Sequence, residues 1–151
     1  MTIEQHSKSY MDEYLGKLPG PRHLPSNLDT DSFAIETDER PWGRWSLLHE
    51  GPGYKVKLIE VHPGRRLSLQ YHHHRSELWT CVGGVASALV GERLLELKPR
   101  ESVRIGLGEV HRLGNAGHEP VFIVEVQQGE ILREDDIVRL EDDYQRAGTT
   151  R

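Results

Sequence analysis

Three adjacent histidines stand in the stretch LSLQYHHHRSELW, residues 67–79, with Gln70 just before them and Glu77 just after. Imidazole nitrogens and a carboxylate crowded in this way are donors for a divalent metal. Gln70, His72, His73, His74 and Glu77 outnumber the four places of such a site. Strand periodicity puts Gln70 and His72 on one face, and equally His72 and His74, with His73 turned away. Both pairings are open on periodicity alone. The alternative is a polar strand end that binds nothing, and His111 further along weighs against it by supplying another imidazole.

An anionic ligand would need local cations, because the chain carries a formal net charge of −5. Arg75, Lys57, Arg104, Arg112 and Arg139 are available. Arg112 ranks below the others, since alternation next to His111 turns it outward. Glu125 and Gln127 interrupt an apolar strand at period two, which fits either a cavity-facing pair or a solvated sheet face. Trp79 and Val82 read as core.

The elements that must carry these residues are short strands. Segments 42–49, 54–61, 66–71, 77–82, 85–90, 93–97, 102–105, 111–114 and 121–127 alternate or are rich in β-branched residues. GPG, PG, GG, GE, PR and GLG punctuate them. Closely spaced strands without long helices between them predict an all-β antiparallel sandwich or barrel. Residues 1–39 differ. Tyr10, Met11, Tyr14, Leu15 and Leu18 share a helical face, Pro19 stops that helix, and PGPRHLPSN (19–27) reads as an extended arm. The expected organisation is a leader at 1–39, one domain at 40–146 and a flexible tail at 147–151. The acidic run EDDIVRLEDDYQR (134–146) is expected to close the domain as a short helix.

Composition bounds the rest. Charged residues are 28% and hydrophobic ones 36%, the balance of a soluble globular domain. The acidic balance argues against nucleic acid as a partner, and no apolar run is long enough for a membrane span. The first residues lack the basic-then-apolar pattern of a secretory signal, and a single cysteine, Cys81, fits a cytoplasmic chain. The arm and the open sheet edges lead us to expect a homodimer.

The spacing resembles the cupin superfamily, whose first motif is G-x5-H-x-H-x4-E-x6-G. Placed on Gly64, it runs through Gln70, His72, Glu77 and Gly84, with glutamine in the first histidine place. The second motif, P-x-G-x2-H-x3-N, falls on Gly106, Gly108, His111 and Asn115, with Gly106 in the proline place. This resemblance implies a double-stranded β-helix barrel and the ligand set Gln70, His72, Glu77 and His111. The rival pairing through His74 fits the spacing less well. An N/O donor set suits zinc, and also iron, manganese, cobalt or nickel.

RPWG, GYKVKLIEV, LSLQYHHHRSELW, HRLGN, VEVQQGE and EDDIVRLEDDYQR, in that order, further resemble the C-terminal cupin domain of type II phosphomannose isomerases. That domain is often fused to a mannose-1-phosphate guanylyltransferase, whose G-x-G-x-R-L stretch does not occur in these residues. The chain departs from the family at Leu78, where the family usually has histidine, at Gly106-Leu107-Gly108, and in GGVASALV. The resemblance implies interconversion of mannose 6-phosphate and fructose 6-phosphate with a divalent metal, commonly zinc. That chemistry calls for an acid/base, for which His74 and Lys57 are the candidates. It also calls for a phosphate site, for which Arg75, Arg104, Glu125, Gln127 and Arg139 are the candidate substrate contacts. A dioxygenase-type cupin or a non-catalytic sugar-binding cupin are the alternatives.

Overall fold

Period-two alternation in nearly every segment lets the chain bury one face of each strand and pair both edges of most of them. The computed structural model describes residues 33–146. These hold β1 (Glu36–Arg40), β2 (Gly43–Gly51), β3 (Tyr54–Val61), β4 (Leu69–Tyr71), β5 (Arg75–Gly83), β6 (Ala86–Val90), β7 (Arg93–Leu97), β8 (Ser102–Ile105), β9 (His111–Gly114), β10 (Val121–Gly129) and β11 (Val138–Glu141). One sheet has the order β1-β2-β3-β10-β5-β8 and the other β11-β4-β9-β6-β7, and the strand pairs are antiparallel.

Between the sheets lies one apolar cluster that includes Trp42, Trp45, Ile59, Val61, Trp79, Cys81, Val90, Ile105, Leu113, Val121 and Ile123. Each fully buried aliphatic side chain of this kind contributes roughly 1.5–3 kcal/mol relative to exposure. Asn115 ties the far end of the cluster. Its Nδ2 donates to Val61 O at 2.9 Å and Glu119 O at 2.7 Å, and its Oδ1 accepts from Gly117 N at 3.0 Å. Gly84 has φ 68°, and a Cβ there would lie 2.3 Å from Pro120 O, so this turn requires glycine.

The structure corrects the reading at both flanks. The run 134–146 is not a helix. It enters through turns, forms β11 against β4, and ends in further turns. Four residues of the leader, Glu36–Glu39, join Arg40 in β1 and pair with β2. The helix read at 10–18, the arm at 19–27 and the dimer contact expected of it lie outside the described residues. Among the described residues no helix is long and apolar enough to cross a membrane.

Candidate metal centre and cleft

Inward-facing side chains change character along several strands, and the site forms where they turn polar. On β10, Val121 and Ile123 give way to Glu125 and Gln127. On β5, read backwards, Cys81 and Trp79 give way to Glu77 and Arg75. On β3, Lys57 precedes Ile59 and Val61, and on β9 Leu113 sits beyond His111. Strand register brings these polar ends together. Glu125 lies opposite Trp79 on one side and Lys57 on the other, Gln127 lies opposite Glu77, and Gln70 opposite His111.

His72 sits on the loop that leaves β4. Its carbonyl accepts from Gly108 N at 2.9 Å. The loop also packs closely on the end of β10, where a Cβ on Gly129 would meet His74 O at 2.1 Å. Only a residue without a side chain permits that approach.

His72, Glu77 and His111 are buried, and one donor atom from each lies within 4.8 Å of the others. His72 Nε2 is 3.0 Å from Glu77 Oε1, and His111 Nε2 is 3.6 Å from Glu77 Oε2. Both Nδ1 atoms are committed elsewhere, His72 to Asp136 O at 2.5 Å and His111 to Glu109 O at 2.8 Å. A carbonyl can only accept, so each Nδ1 carries the proton and, on a neutral ring, each Nε2 offers a lone pair. His111 Nε2 has no hydrogen-bond partner. A buried lone pair aimed at a carboxylate calls for a cation between them, and backbone carbonyls orienting the imidazoles are the usual support of a metal-binding histidine. The donor set therefore fits a divalent metal.

The electrostatics agree with the geometry. Burial works against ionisation of Glu77, but with no ion bound a protonated His72 would donate Nε2–H to it, and that bond with the charges of His111, His72 and Arg75 outweighs burial and holds the carboxyl well below its ordinary range. Burial pushes His111 below the usual imidazole value, against the pull of Glu77, which favours the neutral, ligating form. Glu125 is pushed up to about 8, first by burial and then by the Glu77 charge, with Lys57 and Arg75 opposing. Trp79 Nε1 donates to Glu77 Oε2 at 3.1 Å and to Glu125 Oε2 at 2.9 Å, and Gln127 Nε2 donates to Glu125 Oε1 at 2.7 Å.

The cluster adjoins an open cleft of about 670 Å³, its solvent-filled mouth included. Of the residues singled out from the sequence, Gln70, Glu77, Lys57, Arg75, Glu125, Gln127 and Arg139 line this cleft. Gln70 is buried, and its Oε1 accepts from Ser68 Oγ at 3.2 Å. Lys57 is ion-paired with Glu134 and lies 4.1 Å over the Trp45 ring. Arg75 turns its fork inward, with Nε 3.1 Å from Glu77 Oε1, NH1 3.3 Å from Arg133 O and NH2 3.3 Å from His72 Nε2.

Three candidates are not brought to the cleft, and one of them, Arg112, pairs with Glu141 at 3.3 Å. His74 is exposed, because β4 ends at Tyr71 and strand alternation does not continue through the histidines. Arg104 is exposed on β8, where it pairs with outward-facing Leu78. His73 is also exposed and meets Tyr71 edge-on at 5.2 Å. The sequence reading missed Asp136, Glu134 and Arg146. Asp136 and Glu134 lie in an acidic run that gives no local sign of reaching back to the histidines. It also took Trp79 for core alone, and the indole is both core and donor.

The family described as mannose-6-phosphate isomerase C-terminal matches residues 29–142. Xanthan biosynthesis protein XanB of Xanthomonas campestris pv. campestris is 50% identical over 107 residues, which is 71% of this chain and 23% of that protein. Alginate biosynthesis protein AlgA of Pseudomonas aeruginosa is 48% identical over 129 residues, covering 83% of this chain and 27% of AlgA. Mannose-1-phosphate guanylyltransferase ManC of Salmonella typhimurium is 45% identical over 107 residues, 71% of this chain and 22% of ManC. The chain thus spans about a quarter of the length of these relatives.

Among solved structures, an oxalate decarboxylase of Lactobacillus farciminis superposes with a TM-score of 0.61 at 20% identity, over 70% of this chain and 33% of that one. A double-stranded β-helix protein of Klebsiella pneumoniae superposes at 0.59 and 23% identity, over 75% of this chain and 95% of that one. At such identities the likeness concerns the fold. With two antiparallel sheets, the histidine and glutamate spacing of a cupin and a family match over most of its length, the chain belongs to the mannose-6-phosphate isomerase C-terminal family of cupins.

Proposed function

We propose that the cleft carries out metal-dependent aldose–ketose isomerisation, interconverting mannose 6-phosphate and fructose 6-phosphate. The observation that carries this reading is the junction of the His72, Glu77 and His111 donors with a cleft lined by Arg40, Lys57, Arg75, Arg139 and Arg146. A metal site beside several cations suits a substrate with sugar oxygens at one end and a phosphate at the other, and the family's name agrees.

Isomerisation moves a proton between neighbouring carbons and develops charge on an oxygen. A divalent ion held by His72, Glu77 and His111, with Gln70 as the fourth donor, would supply the electrophile for that oxygen, and zinc suits such N/O ligands. Lys57 and Glu125 face each other across β3 and β10 in the cleft, which supports assigning the proton transfer to them. Glu134 and the Trp45 ring hold the Lys57 ammonium in one position. Trp42, Trp45, Ile59 and Leu67 form the apolar wall against which a sugar ring excludes water. Arg139 and Arg146 supply the cations for the phosphate.

The test is turnover of mannose 6-phosphate by the zinc-loaded chain, coupled to detection of fructose 6-phosphate. We expect activity that disappears on chelation and in His111→Ala. Saturable binding of mannose 6-phosphate without turnover would replace this reading with that of a non-catalytic sugar-binding cupin, and neither binding nor turnover would sink both.

A further inference from the structure

The segment leading into β11 holds three groups of the site from outside the strands that carry them. Arg133 O accepts from Arg75, Glu134 pairs with Lys57, and Asp136 serves the histidine loop twice. The Asp136 carbonyl accepts from His72 Nδ1 at 2.5 Å. Its carboxylate takes the backbone N–H of His73 on Oδ1 at 3.1 Å and that of His74 on Oδ2 at 3.0 Å. Asp136 is itself buried, 8% exposed.

We propose that Asp136 is a positioning residue for the metal centre, fixing both the tautomer and the place of His72. Past Tyr71 the loop has left the sheet, so the N–H groups of His73 and His74 have no ladder partners. One carboxylate satisfies both and stops the loop from sampling other paths. The same residue's carbonyl requires a proton on His72 Nδ1, which leaves Nε2 as the lone pair facing Glu77. Side-chain clamp and main-chain acceptor belong to one residue, so the loop and the ring are set together. Asp143, by contrast, ties the later part of the segment to Arg66 through two bonds of 2.8 and 2.9 Å and touches no group of the metal cluster.

The inference rests on His72 being a metal ligand, and the experiment separates the two. Zn2+ affinity is measured by competition with a chromophoric chelator in the wild type, Asp136→Ala, Asp136→Asn and Asp143→Ala. The His72 tautomer is read by long-range 1H–15N NMR in the metal-free wild-type chain. We expect Asp136→Ala to bind Zn2+ about 10–100-fold more weakly. Asp136→Asn, which keeps one acceptor oxygen, should lose less, and Asp143→Ala should match the wild type. The wild-type ring should show the proton on Nδ1. Equal affinity in wild type and Asp136→Ala, equal losses in Asp136→Ala and Asp143→Ala, or a proton on Nε2 would each overturn the proposal. If Asp136→Ala does not fold, Asp136→Asn and the tautomer decide. A wild type that takes up no Zn2+ would overturn the metal reading beneath, and this proposal with it.

Discussion

Two carboxylate oxygens at Glu77 serve four neighbours, His72 and Arg75 on Oε1, His111 and Trp79 on Oε2. The motif spacing made the cluster of His72, Glu77 and His111 legible, with Gln70 opposite His111, because the motif's offsets tie β4, the loop after it, β5 and β9 together. It could not reveal that the Trp79 indole bridges Glu77 and Glu125, since that contact depends on how β5 and β10 register. Nor could it show that His74 would fall outside, which depends on where β4 ends. The fork of Arg75, read as a phosphate clasp, is aimed at Glu77 and His72. Replacing Trp79 by Phe keeps a ring in the core and removes one N–H. Both buried carboxylates then lose a shared donor, and leaving such groups short of a partner costs about 1–3 kcal/mol. Urea unfolding of Trp79→Phe should show a loss in that range, with Zn2+ binding weakened as well. A variant that matches the wild type in both would show that the bridge contributes nothing beyond packing.

Among the elements, strands with a buried face were legible, the edge strands β7 and β8 included, and the edge strands β1 and β11, which bury no such face, were not. The bounds of β3, β7, β8 and β9 are those read from alternation, because their inward side chains pack in the core. The sequence of β1, Glu-Thr-Asp-Glu-Arg, carries no apolar period, and its pairing with β2 makes it a strand. Around β11 the repeated acidic residues of the run 134–146 resemble a helix surface, and pairing with β4 overrides that local preference. Beyond β11 the chain is tied by Asp142, which accepts from the backbone N–H groups of Tyr144 and Arg146 and from the Arg146 guanidinium. Burial opposes ionisation of Asp142, but these bonds prevail and hold its carboxyl below the ordinary range. A depressed folded-state pKa contributes stability that is present above the unfolded value of about 3.9 and is lost as pH falls through the folded value. Asp142→Asn should therefore lower Tm by a few degrees at pH 7, and the gap to wild type should close below about pH 3. Thermal melts across pH 2–7 would check this, and a gap that stayed constant would show that the charge is not what ties the turn.

At the scale of the whole molecule, the cluster of His72, Glu77 and His111 joins the two sheets where the core between them turns polar. Glu77 belongs to β5 in one sheet, His111 to β9 in the other, and His72 follows β4 beside it. Apolar contacts hold the opposite end through Val61, Cys81, Leu113 and Val121, but at this end the sheets meet through buried charges and lone pairs. An ion ligated from both sides would staple them. Any ligand that binds only the folded state stabilises it by mass action, by about 2.7 kcal/mol at a free concentration a hundred times its Kd. For a domain of ~100–150 residues that corresponds to roughly 10 °C in Tm. We expect saturating Zn2+ to raise Tm by about this amount over the chelator-treated chain. Exposed His73 and His74 provide a second place for loose zinc contact, so the shift needs a control. His111→Ala removes a ligand from one sheet while leaving both surface histidines in place. Its Tm should be insensitive to Zn2+, and its sheets should part at the temperature of the metal-free wild type less the cost of the lost imidazole packing. A full shift surviving in His111→Ala would assign the stabilisation to surface zinc and leave the two sheets unlinked by metal.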